Sequence, residues 1–180
     1  MLIEELKKSS VVSKYLCDIC SERGFSAEIN STISKDNYVI IKVDDYYNDL
    51  NRKVPASPDC LIVIKCADGN YSIFVVELKD IQNQHGFSIA NIREKFETCL
   101  YDFMQNVLRE HFVESEYIFN RTKLFFITDP YNQQQNQLRE KLNKSSKMDA
   151  LLAMNTKPYI FDGKHLGIEH KFQNPMINPC

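Results

Sequence analysis

The stretch Pro58-Asp59-Cys60-Leu61-Ile62-Val63-Ile64-Lys65, followed by Tyr71-Ser72-Ile73-Phe74-Val75-Val76-Glu77-Leu78-Lys79, decides the reading of this chain. Leu61 to Ile64 and Ile73 to Val76 are unbroken apolar runs rich in β-branched residues, the pattern of strands buried on both faces. Asp68-Gly69-Asn70 between them is turn chemistry, so the two runs predict a hairpin. Side chains alternate along a strand, which puts Glu77 and Lys79 on one face. The membership of Asp59 depends on the turn. A two-residue Asp68-Gly69 turn sets Asp59 opposite Leu78, on the wrong face, whereas a three-residue Asp68-Gly69-Asn70 turn sets it opposite Lys79 and beside Glu77. Cooperation of the two acids therefore requires an odd-length turn or a bulge.

Outward from the hairpin, the chain reads as one domain over residues 1–172 with a loose tail at 173–180. Its 180 residues suffice for a substantial core, and 43% apolar content with 26% charged residues argues against disorder. A formal net charge of −2 neither announces nor excludes a polyanionic partner. Acidic residues at Glu4 and Glu5 precede any apolar run, which is unlike a secretory signal, and no stretch approaches ~18 consecutive apolar residues. The expectation is a cytoplasmic protein with no membrane partner. Among six cysteines, Cys17 and Cys20 have zinc-knuckle spacing but no second pair at a matching interval, so they are read as reduced helix cysteines, and Cys60 and Cys66 as packing residues.

Apolar positions from Ile3 to about Glu22 follow a helical period, with Ser9-Ser10 as a place for a break and Gly24 as a stop. Phe25 to Ile29 and Tyr38 to Val43 predict a hairpin leading into the main sheet, and Asp44 to Lys53 a surface loop. Ser88 is the expected cap of a long helix whose stripe is Ile92, Phe96, Cys99, Phe103 and Val107. Lys123 to Thr128 predicts a buried strand. Gln133 to about Asn143 and Met148 to Met154 predict helices, and Pro158 to Phe161 with His165 to Ile168 a hairpin turning at Asp162-Gly163.

Carboxylates brought together stay ionised only if a cation joins them, and hard oxygen ligands favour Mg²⁺, with Mn²⁺ able to substitute. Asp59 and Glu77 are the expected ligands, and Lys79 is placed to orient a water or hold a phosphate. Pro58-Asp59, seventeen intervening residues and Glu77-Leu78-Lys79 together resemble the signature of the PD-(D/E)xK nuclease superfamily, restriction-endonuclease-like proteins with an acid opening one core strand and (D/E)xK on the next. The order of elements over residues 1–143 is similar as well.

The resemblance implies a three-layer α/β/α core with a mixed central sheet and metal-dependent hydrolysis of nucleic-acid phosphodiesters. It implies Asp59 and Glu77 as metal ligands, the backbone carbonyl of Leu78 as a further ligand, and Lys79 as the water-orienting or transition-state-stabilising group. A helix-1 acid sometimes completes such sites, which leaves Glu4, Glu5 and Glu28 as candidates. All four histidines follow the motif, unlike the upstream ligand of cap-snatching endonucleases. The substrate expected is double-stranded DNA cut in a restriction-type, site-specific manner by a homodimer or beside a partner subunit. A Holliday-junction or repair nuclease, or a non-catalytic nuclease-fold subunit, is the alternative. Gln82 and Gln84, like the run Asn132 to Gln137, have the amide chemistry that reads adenine edges, and Arg93 and Lys95 lie near a helix start where phosphate contact is expected.

Overall fold

A computed structural model describes residues 1–50, 53–79, 88–128, 157–172 and 174–178. The central element is a five-stranded mixed sheet in the order β3-β4-β5-β6-β9, formed by β3 (Tyr38–Lys42), β4 (Cys60–Lys65), β5 (Tyr71–Lys79), β6 (Phe119–Thr128) and β9 (Ile168–Lys171). The pairs β3–β4 and β4–β5 are antiparallel, while β5–β6 and β6–β9 are parallel. The continuous apolar runs of β4 and β5 occupy interior positions of this sheet, which explains why neither shows polar alternation.

The β4–β5 register is set by an odd-length turn, but not the one expected. Cys66 N–H bonds to Asn70 O at 2.8 Å, so the loop is Ala67-Asp68-Gly69, with Gly69 at φ 86°. Asp68 side-chain oxygens accept from Asn70 N–H at 3.0 Å and from its amide at 2.8 Å, which pins the turn one residue earlier than a turn centred on Gly69. Cys60 pairs with Val76, and one step further Asp59 stands opposite Glu77 rather than Lys79. The correction moves the register by two residues and so preserves the face.

One face of the sheet carries Leu61, Val63, Ile73, Val75, Leu124 and Phe126 against the helices. Helix α1 (Leu2–Lys8) buries Leu2, Ile3 and Leu6 there. It ends at the serine pair instead of running to Glu22: Ser9 turns extended at ψ 126°, and its Oγ accepts Val11 N–H, an interaction that competes with helix. The segment expected to be a loop after Lys42 is instead helix α2 (Val43–Asn48), with Tyr47 buried and bonded to Asp102 at 2.6 Å. Val43, Tyr46, Tyr47 and Leu50 have helical spacing, with tyrosines serving as the apolar stripe.

Helix α3 (Ile89–Glu97) begins at the expected cap, where Ser88 Oγ accepts Asn91 N–H. It continues as a π-helix over Thr98–Val107, where Leu108 N–H reaches Phe103 O at 2.9 Å, and then as α4 (Arg109–Phe112). The wider winding buries Cys99 and Leu100, then Phe103 and Met104, against the sheet.

The opposite face, lined by Cys60, Ile62, Ile64, Phe74, Val76, Leu78 and Ile127, packs on a small sheet of β1 (Cys20–Glu22), β2 (Phe25–Ile29) and β10 (Met176–Ile177) in the order β1-β2-β10. The protein is therefore mixed α/β with a mixed central sheet, and among the described residues the second covering layer is β rather than the helical layer of an α/β/α sandwich. The helices expected over 133–143 and 148–154 lie outside the described residues. Two strand assignments change accordingly. β2 pairs with β1 across Arg23-Gly24, both at positive φ, rather than with β3, and part of the expected tail becomes β10, with Ile177 buried. The hairpin β7 (Tyr159–Phe161) and β8 (Lys164–Leu166) turns at Asp162-Gly163 as expected, while Ile168 opens β9.

Candidate active site

Asp59 and Glu77 meet where β4 begins and β5 ends. Both point to the helical face, and both are nearly inaccessible, at 4% and 1% exposure. Backbone supports Asp59 tightly: Leu78 N–H donates to its Oδ2 at 2.6 Å, and Asp59 O accepts Val43 N–H at 3.0 Å. From α3, Lys95 reaches Glu77 Oε1 at 2.7 Å. The other carboxylate oxygen, Glu77 Oε2, is buried without a hydrogen-bond partner among the described residues. An unpaired buried carboxylate oxygen costs free energy unless something accepts its lone pairs.

The protonation equilibria register the same imbalance. Burial, and then the negative charge of Glu77, push the Asp59 carboxyl well above the usual carboxylate range. Burial also pushes Glu77 up, against the opposing pull of Lys95, of a side-chain hydrogen bond from the Asp59 carboxyl and, more weakly, of Lys79. Burial works against the charge of Lys95, but Glu77 outweighs it and the net shift is upward. Two acids are thus held in a setting that one lysine does not fully neutralise.

A polar recess of about 120 Å³ opens over this pair, lined by Glu22, Arg23, Glu77, Leu78, Lys79 and Lys95. A larger hollow of about 380 Å³ beside Lys7, Cys17, Lys35 and Tyr38 has no buried carboxylate and lies away from the motif. The structure thus brings Asp59, Glu77, Lys79 and Lys95 together. Lys95 serves Glu77 directly, in place of the phosphate contact expected of it. Arg93 leaves the site: its guanidinium stacks on the Tyr159 ring at 4.7 Å and lies 3.9 Å from Glu97. Gln82, Gln84 and the run Asn132 to Gln137 lie outside the described residues.

None of the three candidate acids lines the recess. Glu5 is engaged by the N-terminal amine at 3.0 Å and by the Tyr117 hydroxyl, Glu28 accepts from Ser26 Oγ, and Glu4 does not line the recess. A carboxylate outside the motif, Glu22 from β1, lines the recess with Glu77 and adds to the upward push on Asp59. Two residues earlier on β1, a disulfide that the sequence reading missed joins Cys20 to Cys60. That bond corrects the reading of Cys20 as a reduced helix cysteine and of Cys60 as a packing residue, and removes the Cys17/Cys20 zinc pair; Cys66, also expected only to pack, is disulfide-bonded as well. Cys17 remains a thiol, with Sγ 3.9 Å from Ile40 O.

The chain matches no protein-family model, no curated protein and no solved structure. The site must speak for itself.

Its donor set is all oxygen, which suits Mg²⁺ or Mn²⁺ far better than a soft metal. Among the described residues, no three His, Cys, Asp or Glu side chains are already gathered at metal-holding distances. The free Glu77 Oε2 and the excess of buried acid are what fit a hard cation here. No helix among the described residues is long and apolar enough to cross a membrane. The Cys20–Cys60 bond belongs either to an oxidising compartment or to a reversible thiol pair in a reducing one, so the cytoplasmic expectation stays an expectation.

Proposed function

We propose that the protein is a metal-dependent endonuclease hydrolysing DNA phosphodiester bonds, and that its cleavage is of the restriction type. The observation that carries the reading is the buried Asp59–Glu77 pair, with Glu77 Oε2 lacking an N–H partner among the described residues, beside a recess that Glu77 and Lys79 line. A structural ion pair needs one acid and one base. A second buried acid placed directly opposite the first adds like-charge repulsion and desolvation with no structural return, which is the arrangement expected where function sets the requirement.

In this reading Asp59 and Glu77, with the Leu78 carbonyl, hold Mg²⁺, and Mn²⁺ substitutes for it. When bound, the cation makes a water more acidic and offsets charge on the phosphate. The protein's own groups do the rest. The Leu78 N–H fixes the Asp59 carboxylate in one orientation. Lys95 neutralises one oxygen of Glu77 and leaves the other, Oε2, for the cation. Lys79, one strand period beyond Glu77 and on the same face, orients the attacking water or holds a phosphate oxygen as charge builds. Cleavage of both strands of a duplex calls for a second copy of the chain or a partner subunit.

The test is incubation of supercoiled plasmid with the protein and Mg²⁺ or Mn²⁺, alongside Asp59→Ala and Lys79→Ala. Wild type is expected to nick or linearise the DNA, each variant to be slower by at least ~10²-fold, and a chelator to stop the reaction. Discrete bands indicate sequence readout, whereas preference for branched DNA indicates junction or repair chemistry. Absence of cleavage on DNA and RNA, or equal cleavage by the variants, refutes the catalytic reading and leaves a nuclease-like fold without turnover.

A further inference from the structure

The recess contains an acid that the sequence motif does not include, and it arrives on a strand outside the central sheet. Among the described residues strand β1 has only β2 as its ladder partner, and no backbone ladder joins it to β4 or β5. Cys20 and Glu22 are two residues apart on β1 and so point to the same side, toward the central sheet. Cys20 is fully buried and bonded to Cys60, the residue next to Asp59. Two steps along β1 from that bond, Glu22 comes within reach of the Asp59 carboxyl and lines the recess with Glu77. The Arg23-Gly24 turn, at φ 47° and 87°, ends β1 immediately after Glu22 and keeps its backbone from running past the site.

Among the described residues, Glu22 pairs with the neighbouring Arg23, at 3.5 Å and largely in solvent, a pairing with little hold on either side chain. By contrast, Glu77 lines the same recess and keeps Oε2 buried, without an N–H partner among the described residues.

We infer that Glu22 is the third carboxylate of the cation site, and that the Cys20–Cys60 bond positions it there, so that the affinity for a divalent cation depends on the oxidation state of that cysteine pair. The inference rests on the cation-binding reading of Asp59 and Glu77 proposed above. It adds the ligand class, a third hard oxygen donor, and a means of control located one residue from Asp59. Reduction by a dithiol transfers the disulfide to the reductant, leaves Cys20 and Cys60 as two thiols, and frees β1 from β4 without altering any carboxylate.

The experiment is calorimetric titration of the oxidised protein with Mn²⁺, without DNA, for wild type, Glu22→Gln and Asp59→Asn, each repeated after reduction with dithiothreitol, with oxidised Cys20→Ser as the variant that opens this bond alone, since Cys66 is disulfide-bonded too. Circular dichroism follows folding in every sample. Wild type is expected to bind Mn²⁺, Asp59→Asn to lose binding, and Glu22→Gln to bind about 10-fold or more weakly, as changes around a metal site commonly do. Reduction is expected to weaken wild type by a similar factor and to have little further effect on Glu22→Gln, because both perturbations remove the same donor. Unchanged Mn²⁺ affinity in folded Glu22→Gln overturns the assignment of Glu22. Unchanged affinity on reduction of wild type overturns the role of the disulfide. If oxidised wild type binds no Mn²⁺, the underlying cation reading and this inference both fall, and if Glu22→Gln alone matches wild type, only the inference does.

Discussion

Replacing Asp59 by Asn should make the metal-free protein more stable while removing its affinity for divalent cations. Asp59 is 4% exposed, stands opposite Glu77, and has its carboxyl pushed upward by burial and by that neighbouring charge. An acid whose folded-state pKa is raised imposes no penalty below its unfolded pKa of about 3.9, and a growing one as pH rises toward the folded value. The slope is about 1.4 kcal/mol per pH unit, so at pH 7 the ceiling is about 4 kcal/mol. Strong coupling to Glu77 and the nearby Lys95 reduce this, and about 2 kcal/mol is the realistic gain on substitution. Asparagine has nearly the same shape, and its oxygen can still accept the Leu78 N–H, so little packing is lost. For a chain of this size, a gain of about 2 kcal/mol raises Tm by roughly 4–8 °C. The assay is thermal unfolding at pH 5, 7 and 8.5 with chelator, then with Mg²⁺. The gain should be small at pH 5 and larger at pH 7 and above, and Mg²⁺ should raise the Tm of wild type but not of the variant. A variant less stable than wild type at pH 7 and equally stabilised by Mg²⁺ would refute both the electrostatic argument and the cation site.

Further expectations concern the groups around this pair. Lys95→Met removes the partner of a buried carboxylate and should cost about 3–5 kcal/mol, measured by urea denaturation, with the double variant Lys95→Met/Glu77→Gln recovering most of it. Cys20→Ser opens a cross-link spanning 40 residues, for which chain entropy gives a loss of up to about 4 kcal/mol, read as a lower urea midpoint than that of oxidised wild type. His170 packs against Phe126 and Phe172 with Nε2 unpartnered, and burial, aided by Lys171, lowers its pKa to about 4. Between pH 6.5 and 4 the unfolded chain binds the extra proton, so stability should fall as pH drops through that window, by up to about 3 kcal/mol, and His170→Phe should flatten this part of the curve.

Much of the scaffold was legible because its signals are local. The apolar runs of β4, β5 and β6, the Ser88 cap and the Asp162-Gly163 turn each depend on a few adjacent residues, and each appears where those residues place it. The failures arose where tertiary partners decide. The helical period after Ser10 was continued by Leu16 and Cys20, yet Leu16 bridges to Ile41 and Cys20 is bonded to Cys60, contacts that draw the chain into extended structure. Met176 and Ile177 carry no strand signal of their own. They pair because β2 offers a free edge, and Asn174 Oδ1 accepts the Ser26 N–H at 3.0 Å to set the approach.

For the site itself, alternation proved more robust than turn assignment. Any odd-length β4–β5 loop leaves Asp59 on the face of Glu77 and Lys79, so a register error of two residues did not alter which side chains share the recess. It did alter which of them oppose one another, and the chemistry follows from that. With Asp59 opposite Lys79, the motif would contain its own ion pair, and the acids would be largely neutralised within the hairpin. With Asp59 opposite Glu77, the two acids face each other, the lysine that relieves them must come from α3, and Lys79 is left to serve the open recess. Lys95 and Glu22 could not be assigned these roles from spacing, since one depends on how α3 crosses the sheet and the other on a disulfide between strands 40 residues apart. The motif residues therefore supply the buried negative charge, and residues outside the motif determine how much of it the protein neutralises on its own.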